Sequence, residues 1–318
     1  MRVLVTGATG FVGRALCPAL KQAGHQVSAA VRNPNAPGIP DGVTVHAISD
    51  IGPGTDWGEA LADADAVIHL AARAHVMKDS AADPSAEFNR VNADGTARLA
   101  QAAAKAGIGR FVYLSTIKVM GERSDAPLRE TDTPRPEDAY GISKLVGEQA
   151  LTVAAADTGL EPVILRPPLV YGPGVKGNFL SLLKLCQAAP PLPFAAVDNK
   201  RSIIYLGNLV DAICICLTAE KAAGETYFVR DGEDLSTPAL IRHVSAALDR
   251  PARLFPAPDG ILRLAGAITG KSQAISTLLS DLQVNNQKIL GQLGWNPPFN
   301  VVQGLKETAA WISPDKTP

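Results

Sequence analysis

Residues 5–16 read VTGATGFVGRAL, directly after the apolar run RVLV, with glycines at 7, 10 and 13. A chain that leaves a strand and turns at once into a helix needs three things here. It needs a residue tolerant of unusual backbone angles, bare backbone where a pyrophosphate approaches, and close packing of helix on strand. The first helical turn then offers unpaired N–H groups and a partial positive charge to a phosphate. The spacing is G-x-x-G-x-x-G rather than the commoner G-x-G-x-x-G. Ordinary turns also use glycine freely. Placed between a strand and a helix, the triplet reads as a dinucleotide cradle.

The same alternation continues outward from that loop. QVSAAVR, VTVHAIS, AVIHLAA, RFVYLST and EPVILRP read as strands. VGRALCPALKQAG, closed by Gly24, and VNADGTARLAQAAAKAG, closed by Gly107, read as helices, as does the segment carrying Tyr140. Continuous apolar strands separated by helices predict an α/β fold, a Rossmann-type doubly wound parallel sheet with right-handed crossovers. After Arg166 proline and glycine become frequent, in RPPLVYGPGVKG and AAPPLPFAAVDN. The predicted division is a dinucleotide-binding domain over 1–166, rejoined by 201–219, and a smaller α+β domain from 167–200 and 220–318. In that reading RSIIYL returns to the sheet as a strand, and NLVDAICICLTAE follows as a helix.

The chain has 318 residues, 46% of them hydrophobic, and a net charge of −1. That balance suits a globular protein and gives no basic field for nucleic acid. The cysteines at 17, 186, 214 and 216 form no CxxC pair and accompany no histidine cluster, so reduced thiols and no metal site are expected. The opening apolar run is too short for a signal peptide. ILRLAGAITG, residues 261–270, is broken by Arg263 and too short to span a bilayer; a core or pocket-lining helix is expected. No nucleic-acid or membrane partner and a cytoplasmic location follow as expectations.

Two further stretches carry chemistry. The second strand ends in Val31, Arg32 and Asn33, where an NAD site usually places an acidic residue for the ribose hydroxyls. A guanidinium there suits a 2′-phosphate, which favours NADP(H) and leaves NAD(H) open. Arg32 reads equally as a solvated loop arginine. In DAYGISKLVGEQ, Tyr140 and Lys144 stand at i and i+4, neighbours on one helix face. A free phenol titrates near 10 and must fall by roughly three pK units, about 4 kcal/mol, to trade a proton near neutrality. An ammonium and an oxidised nicotinamide both push in that direction. Ser115 and Thr116 end a parallel strand, where open α/β sheets bind ligands. A hydroxyl there can hold the oxygen that Tyr140 protonates.

TGATGFVG, HLAA, VNADGT, LST and YGISK, continued by RPPLVYGPG, RSIIYLGNLVDA and LGWNP, resemble the extended short-chain dehydrogenase/reductases, the NAD-dependent epimerase/dehydratase group. The resemblance covers nearly the whole chain. It implies Tyr140 as the acid/base, Lys144 as its partner and Thr116 as the substrate-polarising hydroxyl, with Ser115 beside it. It implies cofactor contacts from Gly7, Thr9, Gly10, Phe11, Val12, Gly13, Arg32, Leu70, Ala71, Ala72, Asn92, Ser115, Tyr140, Lys144 and Pro167. A nucleotide sugar would meet His75, Met77, Thr116, Asn178 and Arg201, the last two at its diphosphate. A homodimer is implied through the helix after Asn92 and the one bearing Tyr140.

Departures from the family pattern narrow the chemistry. The Asp-Glu pair that sugar dehydratases carry after the catalytic threonine is here Ile117 and Lys118, which disfavours dehydration. The tyrosine often found just beyond is Met120, and the arginine expected upstream of LGW has no clear counterpart, Lys271 being a poor one. HLAARAHVMKD, STIKVMGE and RPPLVYGPGVKGNF are most similar to the bacterial surface-polysaccharide branch. The expected function is reduction of a UDP-4-keto-6-deoxy-hexosamine, toward which Arg32 tilts the reading. The alternative is 4-epimerisation of a UDP-hexose such as UDP-glucose or UDP-N-acetylglucosamine. Reduction of a non-nucleotide ketone and a non-catalytic NADP sensor rank below both.

Overall fold

The computed structural model describes residues 1–39, 41–74, 83–270 and 272–313. Its strands are β1 (Arg2–Thr6), β2 (Gln26–Val31), β3 (Thr44–Ala47), β4 (Ala66–His69), β5 (Arg110–Leu114), β6 (Glu161–Arg166), β7 (Leu169–Tyr171), β8 (Ile203–Tyr205) and β9 (Thr226–Phe228). Seven of them form one sheet in the order β3-β2-β1-β4-β5-β6-β9. Every pairing in it is parallel, with Val5 opposite both Ala29 and Ile68. The order reverses between β1 and β4, and ligands of such sheets bind outside the carboxyl ends at that point.

The helices are α1 (Phe11–Gln22), α2 (Gly58–Leu61), α3 (Pro84–Phe88), α4 (Gly95–Lys105), α5 (Ala139–Ala155), α6 (Gly177–Ala188), α7 (Leu206–Thr218), α8 (Thr237–Ala247), α9 (Asp259–Ile268), α10 (Ser272–Leu279), α11 (Gln287–Leu293) and α12 (Val301–Ile312). Strand periodicity sends alternate side chains to opposite faces. Val3, Val5 and Ile68 join Leu16 and Leu20 of α1 and Leu209 and Ile213 of α7 in one core. Leu4, Val67 and Phe111 join Leu99 of α4 and Leu151 of α5 in the other. The doubly wound sheet expected from the sequence is therefore present, with helices on both faces.

Two expectations are corrected. RSIIYL does not return to the large sheet: β8 pairs with β7 in a separate two-stranded sheet, Tyr205 opposite Tyr171. The seventh position beside β6 is taken by β9, in register Ile164 to Thr226. Asp231, just past β9, accepts from Tyr205 N at 2.9 Å through Oδ1. ILRLAGAITG does form a helix, α9, but only its Leu262 and Gly266 are buried. All four cysteines are free thiols, Cys214 partly exposed and the others buried. Among the described residues, no helix is long and apolar enough to cross a membrane, and no cluster of His, Cys, Asp or Glu suits a metal ion.

Candidate active site

The glycine loop collapses onto the end of β4. Gly7 sits at φ +73°, and a Cβ on it would lie 2.8 Å from Ala71 N. A Cβ on Gly13 would lie 2.3 Å from Gly7 O, and one on Gly10 3.0 Å from the same oxygen. These are contacts only glycine permits. The first helical bond of α1 runs from Arg14 N to Gly10 O at 3.1 Å, and no side chain caps Gly10. The N–H groups of Phe11, Val12 and Gly13 are thus left for a ligand, as a diphosphate requires. Thr9, Phe11, Val12, Leu70, Ala71 and Ala72 are half-buried around this loop. Beneath it Thr6 Oγ1 meets His69 Nδ1 at 2.6 Å, and His69 Nε2 meets Thr96 Oγ1 at 3.1 Å. Burial lowers His69 to about 3 and keeps its ring neutral. The residues present fit a dinucleotide.

Arg32, just past β2, has a side chain 75% exposed, its Nη1 3.8 Å from Asp50 Oδ1. Asp50 also takes Arg90 Nη2 at 3.0 Å. The guanidinium is therefore open to solvent past the carboxyl end of β2.

The cradle is tied to α5 through Asn92. This residue lies in a π-helical stretch, Asn89–Asp94, between α3 and α4, a distortion found frequently at functional sites. Its Oδ1 accepts from Arg73 N at 2.8 Å, while its Nδ2 donates to Arg73 O and to Ser143 Oγ, both at 3.0 Å. Asn92 thus clamps the segment following Ala71 to the helix of Tyr140.

Helix α5 starts where Asp138 Oδ1 accepts from Gly141 N at 2.6 Å, a side-chain N-cap. A Cβ on Gly141 would lie 2.7 Å from Lys118 O, so this glycine lets α5 meet the turn after β5. The Thr116 side chain neighbours the Tyr140 phenol and pulls its pKa down. Burial, with the Asp138 carboxylate adding, pushes the phenol up to about 12. The expected acidification by Lys144 is therefore corrected for this site on its own. Lys144 is buried, its Nζ 3.9 Å from the centre of the Tyr113 ring, and burial lowers it to about 7 against the pull of Glu148. A half-neutralised amine facing another ring does not offset the desolvation of the phenol.

Ser115 is buried at the end of β5. Its hydroxyl donates to Glu148 Oε1, and Glu148 in turn holds Arg166 through Nε at 3.0 Å and Nη2 at 2.5 Å. The proton of that hydroxyl is thus committed to Glu148, and its oxygen keeps its acceptor capacity. Pro167 is buried, its carbonyl accepting from Ile117 N at 2.9 Å. Ile117 is buried, and Lys118 Nζ is held by Glu122 at 2.7 Å and Asp138 at 2.6 Å. The positions a dehydratase fills with carboxylates thus hold an alkyl group and a neutralised cation.

Of the residues expected at the diphosphate, Arg201 is hydrogen-bonded within the protein. Arg201 Nη1 donates to Thr277 O and Ser280 O at 3.0 Å and to Ser280 Oγ at 3.1 Å, holding the end of α10. Burial lowers its pKa, with Glu122 and Asp281 opposing. Asn178 is exposed in the first turn of α6, whose N-cap is Lys176. His75, Met77 and Lys271 lie outside the described residues. Sequence reasoning missed Glu148, Arg166 and His69. Glu148 was within reach of it, standing at i+8 from Tyr140 and i+4 from Lys144.

A glycine cradle at the switch point and a tyrosine–lysine helix beside it define a nicotinamide-dependent dehydrogenase architecture. Residues 3–229 match the model of the NAD dependent epimerase/dehydratase family, and the chain belongs to that family. It is 41% identical over 311 residues to a UDP-glucose 4-epimerase of Vibrio cholerae, covering 96% of this chain and 94% of that protein. It is 28% identical to an N-acetyl-alpha-D-glucosaminyl-diphospho-ditrans,octacis-undecaprenol 4-epimerase of Escherichia coli O157:H7, covering 96% of this chain and 93% of the relative. Among solved structures, MoeE5 in complex with UDP-glucuronic acid and NAD superposes with a TM-score of 0.78 at 26% identity, covering 99% of this chain and 100% of that one.

Proposed function

We propose that the protein interconverts C4 epimers of a UDP-hexose, using a retained NAD. The observation that carries this reading is the meeting of Tyr140, on the helix that Asn92 ties through Ser143 to the segment after Ala71, with Thr116 at the end of β5. The Vibrio cholerae relative, aligned over nearly its whole length, supports epimerisation over the reduction that Arg32 alone suggests. Bound in the cradle, an oxidised nicotinamide would supply hydride acceptance and return at C4, and a positive charge that draws Tyr140 down from about 12.

Tyr140 Oη takes the proton of the C4 hydroxyl while Thr116 Oγ1 holds the same oxygen. After the keto sugar turns over, Tyr140 returns the proton to the oxygen on the other face. Lys144, buried one turn along, fixes the ribose side and the charge balance. The segments 167–200 and 220–318 form the sugar-binding unit, with Arg201 and Asn178 toward the diphosphate. Ile142, Val146 and Val153, exposed along α5, form the homodimer face.

Incubation with UDP-glucose or UDP-N-acetylglucosamine and catalytic NAD should yield the C4 epimer, and Tyr140→Phe should lower kcat by roughly 10²–10⁴-fold while leaving the fold intact. No epimer, but consumption of NAD(P)H with a UDP-4-keto-6-deoxy-hexosamine, would replace this reading by the reductase. Arg32 is the observation that favours the reductase, through preference for NADP(H). Arg32→Ala should then weaken NADP(H) binding and spare NAD(H); equal effects on both would remove Arg32 from cofactor selection.

A further inference from the structure

His69 ends β4 and is wholly buried, and nothing in the proposed sugar chemistry uses it. Its ring stands between two threonines, with Nδ1 2.6 Å from Thr6 Oγ1 of β1 and Nε2 3.1 Å from Thr96 Oγ1 of α4. It also stacks on Tyr113 of β5, the ring centroids 5.5 Å apart and the planes 17° from parallel. A side chain needed there only for its volume would carry no polar atoms, since each buried one must find a partner. Both nitrogens of His69 have one.

The neighbours fix which nitrogen bears the proton. A carbonyl oxygen can only accept, and Asn92 O lies 2.7 Å from Thr96 Oγ1, so the one hydroxyl proton of Thr96 points there. Thr96 Oγ1 must then accept from His69, which puts the ring proton on Nε2. Burial, with the Lys144 charge adding, keeps the ring neutral, so Nδ1 is an acceptor and takes the proton of Thr6 Oγ1. Thr6 Oγ1 accepts in turn from Ala71 N at 3.3 Å. The bonds therefore run head to tail, from Ala71 N–H through Thr6, His69 and Thr96 to Asn92 O. The two ends of this chain belong to the two halves of the site. Ala71 N is the atom that a Cβ on Gly7 would meet at 2.8 Å, at the floor of the glycine cradle. Asn92 O is the atom that a Cβ on Gly147 of α5 would meet at 2.5 Å, so the helix of Tyr140 rests against it.

We propose that His69 is a positioning residue: held as the Nε2–H tautomer, it joins the cradle loop to the Asn92 turn and so sets where a dinucleotide in the cradle lies relative to the Tyr140 helix. A neutral imidazole suits this task because it presents an acceptor and a donor at separate points of one rigid ring. The proposal goes beyond the epimerase reading and stands whichever sugar chemistry the site performs.

The test begins with nitrogen NMR of the full chain labelled in its five histidines, His69 being identified by the signals lost in His69→Phe. Its Nε2 should carry the proton and its Nδ1 should not, on both sides of the pH of about 6.5 at which a free imidazole titrates. Two variants then separate hydrogen bonding from packing. Thr96→Val keeps the shape of the side chain and removes the hydroxyl, whereas Thr96→Ser keeps the hydroxyl and removes the methyl. Thr96 meets the cradle only through His69 in this chain of bonds. Thr96→Val should nevertheless speed amide exchange at Ala71 and weaken NAD binding at least about threefold, and His69→Phe at least about tenfold. Thr96→Ser should stay near wild type; a packing role alone would make serine the worse of the two. A proton on Nδ1, or a ring that titrates like a free imidazole, overturns the proposal. So does serine worse than valine, or a folded Thr96→Val with Ala71 exchange and NAD affinity unchanged. Wild type that binds no NAD refutes the cradle instead, and the nitrogen spectrum and Ala71 exchange still decide the chain of bonds.

Discussion

Replacing Lys144 with methionine should abolish turnover and stabilise the fold, with a pH signature set by the buried amine. Burial holds Lys144 at about 7 instead of its ordinary 10.5. Below pH 7 folded and unfolded chains both carry the ammonium, and the folded state bears the full penalty. Between about 7 and 10.5 the unfolded chain binds the proton and the folded chain does not, so wild-type stability rises with pH. At about 1.36 kcal/mol per pK unit the penalty is roughly 5 kcal/mol. The ammonium lies 3.9 Å from the Tyr113 ring centre, a contact that methionine gives up. That contact is worth about 1–2 kcal/mol, which leaves a net gain for the variant of about 3 kcal/mol at pH 6. Glu148 keeps Arg166 as its partner, so no charge is orphaned. Urea unfolding of both proteins from pH 6 to pH 10, without cofactor, measures the difference. The two stabilities should converge as pH rises toward 10.5. A variant less stable at pH 6, or a difference that does not change with pH, would refute the assignment of a desolvated lysine.

Two further outcomes follow from the same geometry. Gly13→Ala places a methyl 2.3 Å from Gly7 O, so the loop must open; NAD affinity should drop strongly by titration, with a stability loss of about 1–3 kcal/mol. Arg201→Ala removes the three hydrogen bonds of its Nη1 to Thr277 and Ser280. It should raise KM for the sugar nucleotide with NAD affinity unchanged, and Arg201→Lys should restore little of it, because a point charge cannot reproduce the fork.

Much of the sheet was legible because strand burial is a local property. RVLVT, AVIH and RFVYL are apolar in nearly every position, and such runs belong to strands covered on both faces. The glycine triplet was legible because each glycine meets a nearby backbone, Gly7 against Ala71 and Gly13 against Gly7. The pair Tyr140 and Lys144 follows from helical spacing alone. Their protonation was not legible, since it depends on what buries them. Tyr140 rises to about 12 and Lys144 falls to about 7 through desolvation that spacing does not encode.

The amino-acid order by itself determined the parallel sheet, the cradle and the tyrosine–lysine helix, because each is announced by a local pattern: apolar runs, a glycine triplet and residues one helical turn apart. Tertiary structure alone decided that β8 pairs with β7 while β9 takes the sheet edge. It alone turned Ser115 toward Glu148 and Arg166, and left the outer face of α9 in solvent. Those outcomes are competitions between distant segments for one edge, one partner or one covering surface, and a local pattern carries no information about which competitor wins.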